Sequence, residues 1–206
     1  MVEEMDAGAL NDRLKLIESM IAEGRQGTAR WGWTFILWGV AYLVATAWSS
    51  GLVGGPAWGR HYLAWPVTMI AAGIATGVAI VRMNKGQPAT TLGRAIGATW
   101  RAMGISLFIV LMSLGFSGRY DTHVFVAIIG GMLGVANMAS AIILKWKMQF
   151  ACAVVWLASA VVACFGTEEQ AGIAFLAATF FCQIVFGIYA MFLESQRRRQ
   201  SGVVNA

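Results

Sequence analysis

Six long apolar stretches, separated by short polar segments, dominate the pattern of hydrophobic and polar positions along the chain. A stretch of about 20 apolar residues can cross a hydrocarbon core of about 30 Å as an α-helix, at about 1.5 Å per residue. The pattern therefore predicts an all-α fold, a bundle of six transmembrane helices. The predicted spans are residues 31–50, 62–82, 98–118, 122–144, 148–166 and 170–193.

A shorter amphipathic helix, over residues 9–24, is predicted before the first span. Its apolar residues recur at intervals of four, three and four, which places them on one side of the helix. These residues are Leu10, Leu14, Ile17 and Ile21. Gly24 and Gly27 are expected to end this helix. Because the polar side carries charges of both signs, the apolar side could pack on the membrane or the bundle, on a second copy, or on a protein partner.

Composition places the chain in a lipid bilayer. Hydrophobic residues make up 58% of the sequence and charged residues 12%, against about 45–50% and about 25% in soluble domains. The predicted spans contain no Asp, Glu or Lys, and their only arginines are Arg82 and Arg101, near one end. Arginines at that depth can extend to the lipid headgroups.

The basic residues predict the orientation of the spans. Of the 15 Lys and Arg residues, 13 fall on one side of the predicted membrane, and positively charged loops stay in the cytoplasm. We therefore expect both termini to be cytoplasmic, with 1–30 as the N-terminal segment and 194–206 as a basic tail. The net charge of +5 is spread over several short segments, which favours contact with anionic headgroups over nucleic acid.

Small and weakly polar residues form stripes along four spans. Membrane helices associate through such residues, since they permit close approach and hydrogen bonds between helices. We therefore expect these faces to point into the bundle. The residues are Gly73 and Gly77 in the second span, Ser106, Ser113 and Ser117 in the third, Gly130, Gly134, Asn137, Ser140 and Ala141 in the fourth, and Gly172, Thr179, Gln183, Gly187 and Ala190 in the sixth.

Helix length places some of these polar residues at a similar depth. At about 1.5 Å per residue, Asn137 and Gln183 both lie about 20–23 Å from the outer interface, and Ser106 lies about 13 Å from the inner end of its span. With Ser140, they are predicted to form one polar cluster in the cytoplasmic half. Two interpretations stay open: the cluster stabilises helix packing, or it binds a small neutral or weakly polar ligand.

Residues that commonly bind metal are sparse. His61 and His123, with Asp121 beside the second, fall at outer ends of spans, but a metal site needs three or four converging ligands. We therefore expect no metal site. The three cysteines lie within spans without metal-binding spacing and are interpreted as small apolar residues. They are Cys152, Cys164 and Cys182.

Catalytic motifs are missing from the chain. It contains no HExxH sequence of a metalloprotease and no GxSG sequence of an intramembrane serine protease. Proton- or sodium-coupled transport normally uses carboxylates or broken helices within the membrane, and the predicted spans have neither. The sequence therefore favours a protein that is not an enzyme and carries no cofactor.

Four short sequences resemble a group of uncharacterised bacterial six-span membrane proteins. They are LIESMI (16–21), WGWTFILWG (31–39), HYLAW (61–65) and GISLFIVL (104–111). The resemblance covers roughly the first 115 residues and implies a bacterial inner-membrane location. It implies no activity, so no functional residue can be transferred.

Two functional hypotheses follow from these observations. In the first, the chain is a membrane-embedded interaction or regulatory module whose N-terminal helix engages a partner or another copy. In the second, it is a facilitator or sensor of a small uncharged or lipid-like ligand bound near Asn137, Gln183 and Ser106.

Overall fold

The computed structural model of the chain describes residues 2–52, 63–83, 91–118 and 121–204, and all regular elements among them are helices. A π-helical segment, Phe180–Val185, joins the last two helices without interruption, so that they form one long helix. The helices are α1 (Val2–Arg30), α2 (Gly32–Ser49), α3 (Ala64–Met83), α4 (Thr91–Phe116), α5 (Thr122–Leu144), α6 (Lys147–Phe165), α7 (Glu168–Thr179) and α8 (Phe186–Val204).

Six of these helical segments are long and apolar enough to cross a membrane, which confirms the predicted all-α bundle of six spans. The bounds of α5 coincide with the predicted span 122–144. In contrast, α4 begins at Thr91 instead of residue 98, and the last helix continues past residue 193 to Val204. Hydropathy marks only the apolar part of a helix, whereas backbone hydrogen bonding continues into its polar ends.

The prediction that glycines end the N-terminal helix is wrong, since α1 runs from Val2 through Gly24 and Gly27 to Arg30. Gly24 is buried, and a Cβ added there would lie 2.7 Å from a methyl group of Leu92 and 2.7 Å from one of Leu144. The missing side chain thus lets α1 approach the start of α4 and the end of α5. A tertiary contact replaces the expected helix break.

The antiparallel pair α5 and α6 forms the most closely packed part of the bundle. A Cβ added to Gly130 would lie 2.8 Å from the carbonyl oxygen of Trp156, and one added to Gly134 would lie 2.7 Å from the Leu157 side chain. Only residues 145–146 connect the two helices. The packing residues predicted for the fourth span therefore lie at a helix contact.

The first and last spans pack through glycines in the same way. A Cβ added to Gly32 would lie 2.9 Å from the Cβ of Ala190, and one added to Gly39 would lie 2.7 Å from the Cβ of Gln183. The last helix begins with a capping box, in which Thr167 and Gln170 satisfy each other's backbone N–H groups. The bundle core thus consists of α2, α5, α6 and the α7–α8 helix.

The two remaining spans, α3 and α4, are the least buried. Each touches the core mainly through large side chains, including Trp65 and Met69 from α3 and Trp100 and Met103 from α4. The structure places the small-residue stripes of these helices outside the bundle. The exposed residues are Gly73, Gly77, Ser106, Ser113 and Ser117.

Candidate functional site

A group of buried polar side chains, called here the buried polar layer, lies within the bundle core. It consists of five residues, each at most 3% exposed: Asn137 and Ser140 on α5, Gln149 on α6, Thr179 at the end of α7 and Gln183 in the π-helical segment. None of these side chains is charged. Polar groups at such positions are normally hydrogen-bonded, because burying an unpaired polar atom costs about 1–3 kcal/mol.

Helix register brings Asn137 and Gln183 to a common depth, as the sequence predicts. Cys182 donates a hydrogen bond of 3.5 Å to the carbonyl oxygen of Cys152, which fixes the level of the last helix against α6. Gly134 packs on Leu157, so counting along the antiparallel pair places Asn137 near the level of Cys152. Asn137 and Gln183 therefore lie at similar depth in the bundle.

Most hydrogen bonds in this layer stay within one helix. The Asn137 amide donates to the Leu133 carbonyl oxygen at 2.8 Å, and the Ser140 hydroxyl donates to the Ala136 carbonyl oxygen at 2.8 Å. Ser140 also accepts a hydrogen bond of 3.0 Å from Trp100 Nε1, which joins α5 to α4. Ser140 is 1% exposed, as expected for a residue predicted to lie in the interior.

Several polar atoms of the layer, together with the indole nitrogen of the buried Trp156, have no hydrogen-bond partner among the described residues. They are Asn137 Oδ1, Gln149 Oε1 and Nε2, Trp156 Nε1, Thr179 Oγ1 and Gln183 Oε1. Four of them are side-chain oxygens, on α5, α6, α7 and the π-helical segment, and each can accept a hydrogen bond from a donor molecule. The chemistry available is therefore hydrogen bonding to a neutral group, without acid–base or charged groups.

Ser106 does not join this layer, which corrects the predicted four-residue cluster. Its side chain is exposed, whereas the adjacent Leu107 is buried. Helix rise predicts the depth of a residue but not which face of the helix is buried. Large residues on a neighbouring face of α4 make the contacts with the core, and this turns Ser106 outward.

Gln149 belongs to this layer although it was not among the residues predicted for the cluster. It is fully buried although it lies only two residues into α6. Its spacing of three and seven residues from the buried Cys152 and Trp156 places all three on one face, which is a signal available from sequence. Thr179 belonged to the predicted small-residue stripe but was not assigned to the cluster.

The π-helical segment contributes Gln183 to the layer. Such segments arise where one extra residue widens a helical turn, and they occur frequently at functional sites. Phe180 and Phe181 point outward from this segment, while Cys182 and Gln183 are buried. The widened turn therefore presents two successive side chains to the interior.

The apolar face of α1 forms a second candidate site. Leu10, Leu14 and Ile17 are 61%, 52% and 51% exposed, and Ile21 is partly buried. Three large apolar side chains on one face of a helix are thus uncovered. Within the described part of the chain, nothing covers this face on the N-terminal side of Ile21.

An apolar groove of about 520 Å³ lies between α4 and α5. Its lining includes Met103, Val110, Ile128 and Met132. Asn137 and Gln183 do not line it. The groove is therefore separate from the buried polar layer.

Among the described residues, no three His, Cys, Asp or Glu side chains converge as metal ligands would. His123 Nδ1 lies 2.8 Å from the carbonyl oxygen of Ala163, and Asp121 caps α5. His61 lies outside the described residues. Cys152, Cys164 and Cys182 are all free thiols.

The chain matches no family model, no curated protein and no solved structure among those with which it was compared.

Proposed function

We propose that the chain is a non-enzymatic multi-pass protein of the inner membrane that acts as an interaction or regulatory module, with both termini in the cytoplasm. The bundle anchors α1, and the apolar face of α1 is the interacting surface. The single observation that supports this proposal is the exposure of Leu10, Leu14 and Ile17 on a helix held to the bundle at Gly24.

The composition of the core supports the same proposal. Its buried polar residues are neutral amides and hydroxyls, and no Asp, Glu, Lys or Arg is among the buried residues that the structure describes. General acid–base catalysis and ion coupling both depend on groups that change protonation or charge. The bundle is therefore better suited to positioning α1 than to chemistry of its own.

Cysteine accessibility in native membranes tests whether something covers the α1 face. Ile17→Cys and Ser19→Cys are matched variants, since both residues are exposed in the structure but lie on opposite sides of α1. With open membrane fragments and a water-soluble maleimide, we expect slow labelling of Ile17→Cys and fast labelling of Ser19→Cys. The unsubstituted protein gives the background from the three native cysteines, which lie within the spans.

Equal labelling of the two variants in native membranes would contradict the proposed interaction module. The comparison does not depend on knowing what covers the face. It also requires no measured activity.

A second candidate function, a facilitator or sensor of a small uncharged ligand, rests on the unpartnered oxygens of Asn137, Thr179 and Gln183. Short-chain alcohols and amides are suitable probes, since they can donate hydrogen bonds and enter an apolar bundle. Under this function they raise the thermal stability of the native protein but not of Asn137→Leu. Equal shifts in both proteins indicate general solvent effects and argue against a site.

A further inference from the structure

We infer that the apolar face of α1 is covered by the lipid bilayer itself, with residues 10–21 lying along the membrane surface. This inference rests on the proposed function, in which that face is an interacting surface, and it names the partner. It depends on the course of α1, the direction of its apolar face and its length beyond the bundle.

The course of α1 follows from two contacts with different pairs of helices in the bundle. Gly32, which follows α1 by two residues, packs on the backbone of Gly187. Gly24 packs on Leu144, the last residue of α5. Between these contacts α1 crosses from the side of α2 and α8 to the side of α4 and α5.

These two contacts lie at nearly the same depth. Cys182 is bonded to Cys152, and α6 begins five residues before Cys152 at Lys147. The last helix is antiparallel to α6, so Gly187, five residues after Cys182, lies at the level of Lys147, five residues before Cys152. Gly187 is therefore level with the α5–α6 turn. Since Gly24 and Gly32 contact the bundle at one depth, α1 runs across the end of the bundle, parallel to the membrane plane.

The apolar residues of α1 share a face with Gly24. At 100° per residue, Leu10, Leu14, Ile17, Ile21 and Gly24 fall within an arc of about 80°. Gly24 faces the bundle, since Leu92 and Leu144 lie against it. The apolar side chains on the N-terminal side of Gly24 therefore face the same way, toward the membrane and away from the aqueous side.

Beyond Gly24, α1 extends past the edge of the bundle. Ile17 lies about 10 Å and Leu14 about 15 Å further along the helix axis. All the residues described from 9 to 20 are exposed, which places no part of the bundle beneath them. At this depth and on this side of α1, the surrounding medium is the boundary between lipid headgroups and acyl chains.

The charges of α1 indicate which kind of lipid contact this is. Residues 9–24 carry three acidic groups and two basic groups, a net charge of 2 − 3 = −1. Asp12 and Lys15, which approach within 4.0 Å of each other, belong to the exposed polar side. Apolar burial, and not attraction to anionic headgroups, therefore holds the helix on the membrane.

Purified full-length protein in phosphatidylcholine vesicles provides the test, because no other protein is then present. Ile17→Cys and Leu14→Cys carry an environment-sensitive fluorophore, and Ser19→Cys carries the same fluorophore as the matched control. We expect blue-shifted emission and quenching by brominated lipid at positions 17 and 14. At position 19 we expect quenching by aqueous iodide instead, and no change in this pattern when phosphatidylglycerol is added.

Three results would overturn the inference. Equal iodide quenching at positions 17 and 19 means that lipid does not cover the face, and protection that grows with the protein-to-lipid ratio identifies a second copy as the partner. Lipid contact that appears only with phosphatidylglycerol contradicts apolar burial as the cause.

The maleimide experiment in native membranes separates this inference from the proposed function. Protection at position 17 in native membranes but not in vesicles means that another protein covers the face, so the interaction module stands and the lipid assignment fails. If position 17 is unprotected in native membranes and in vesicles, both the lipid assignment and the interaction module are contradicted.

Discussion

Trp100 and Ser140 are joined by a hydrogen bond of 3.0 Å from the indole Nε1 to the hydroxyl oxygen, which ties α4 to α5. An equivalent bond of 3.2 Å from Trp38 Nε1 to Thr76 Oγ1 ties α3 to α2. The two least buried spans are thus each attached to the core by one indole–hydroxyl bond in addition to apolar contacts. Each bond is a directional contact between a less buried span and its neighbour in the core.

A double-mutant cycle with Trp100→Phe and Ser140→Ala measures the strength of this attachment. We expect a coupling free energy of about 0.6 kcal/mol and no more than about 1.7 kcal/mol, the range for hydrogen bonds between membrane helices. Unfolding in mixed detergent micelles gives the free energies. Ser113→Ala is the control, because its hydroxyl bonds to Ile109 in its own helix, and strict additivity of Trp100→Phe and Ser140→Ala argues against the bond.

Adjacent glycines on α5 should respond oppositely to alanine. A Cβ at Gly130 would lie 2.8 Å from the backbone oxygen of Trp156, whereas a Cβ at Gly131 meets nothing within 4 Å. Gly130→Ala is therefore expected to lower the free energy of unfolding by about 1–3 kcal/mol through overpacking. Gly131→Ala should be neutral or stabilise by up to about 1 kcal/mol. Equal effects in the same unfolding assay would show that α5 and α6 are not in this close contact.

Gly24→Leu should detach α1 from the bundle while leaving the spans folded. The added side chain overlaps methyl groups of Leu92 and Leu144, which already lie 2.7 Å from a Cβ at this position. We expect faster amide hydrogen exchange in residues 9–24 and an unchanged unfolding transition of the spans.

Leu144→Ala in the Gly24→Leu background provides the test of specificity, because it restores space beside residue 24. Partial recovery of slow exchange is expected. The control Gly97→Leu, at a position with nothing within 4 Å, should leave exchange in α1 unchanged. If Gly24→Leu also leaves it unchanged, the contact with α4 and α5 does not hold α1.

Gln149→Met should stabilise the bundle. Gln149 is fully buried, and neither its amide nitrogen nor its amide oxygen has a partner among the described residues. Methionine has a similar shape and removes a desolvation cost of about 1–3 kcal/mol. A rise in the free energy of unfolding of this order is expected in mixed micelles. A decrease instead indicates that Gln149 is hydrogen-bonded in the native protein, which would favour the ligand function.

The apolar runs predicted the spans well because helix formation in lipid depends on local sequence. Within the bilayer each backbone polar group must find a hydrogen-bond partner in its own segment, so a run of about 20 apolar residues forms a transmembrane helix. The bounds of α5 coincide with its apolar run, since Asp121 caps its start and Lys145 follows its end. The common depth of Asn137 and Gln183 followed from helix rise alone.

The buried face of each span was harder to predict. Lipid tails are as apolar as a leucine side chain, so hydropathy does not distinguish a core-facing residue from a lipid-facing one. The expectation that stripes of small residues face the bundle is correct for Gly130 and Gly134, which lie at a helix contact. The same expectation is wrong for Gly73 and Gly77, which are exposed. Shape matching between specific helices, and not residue type, decides the difference.

The sequence by itself determined the six spans and the neutral chemistry of the core, because each depends on residue type and helix geometry. Only the tertiary structure decided that Ser106 faces outward, that Gln149 is buried and that α1 continues through Gly24 across the end of the bundle. These outcomes depend on which surfaces of distant helices fit together. A good fit between helices increases close packing and so stabilises the fold, but it depends on residues that are far apart in the sequence.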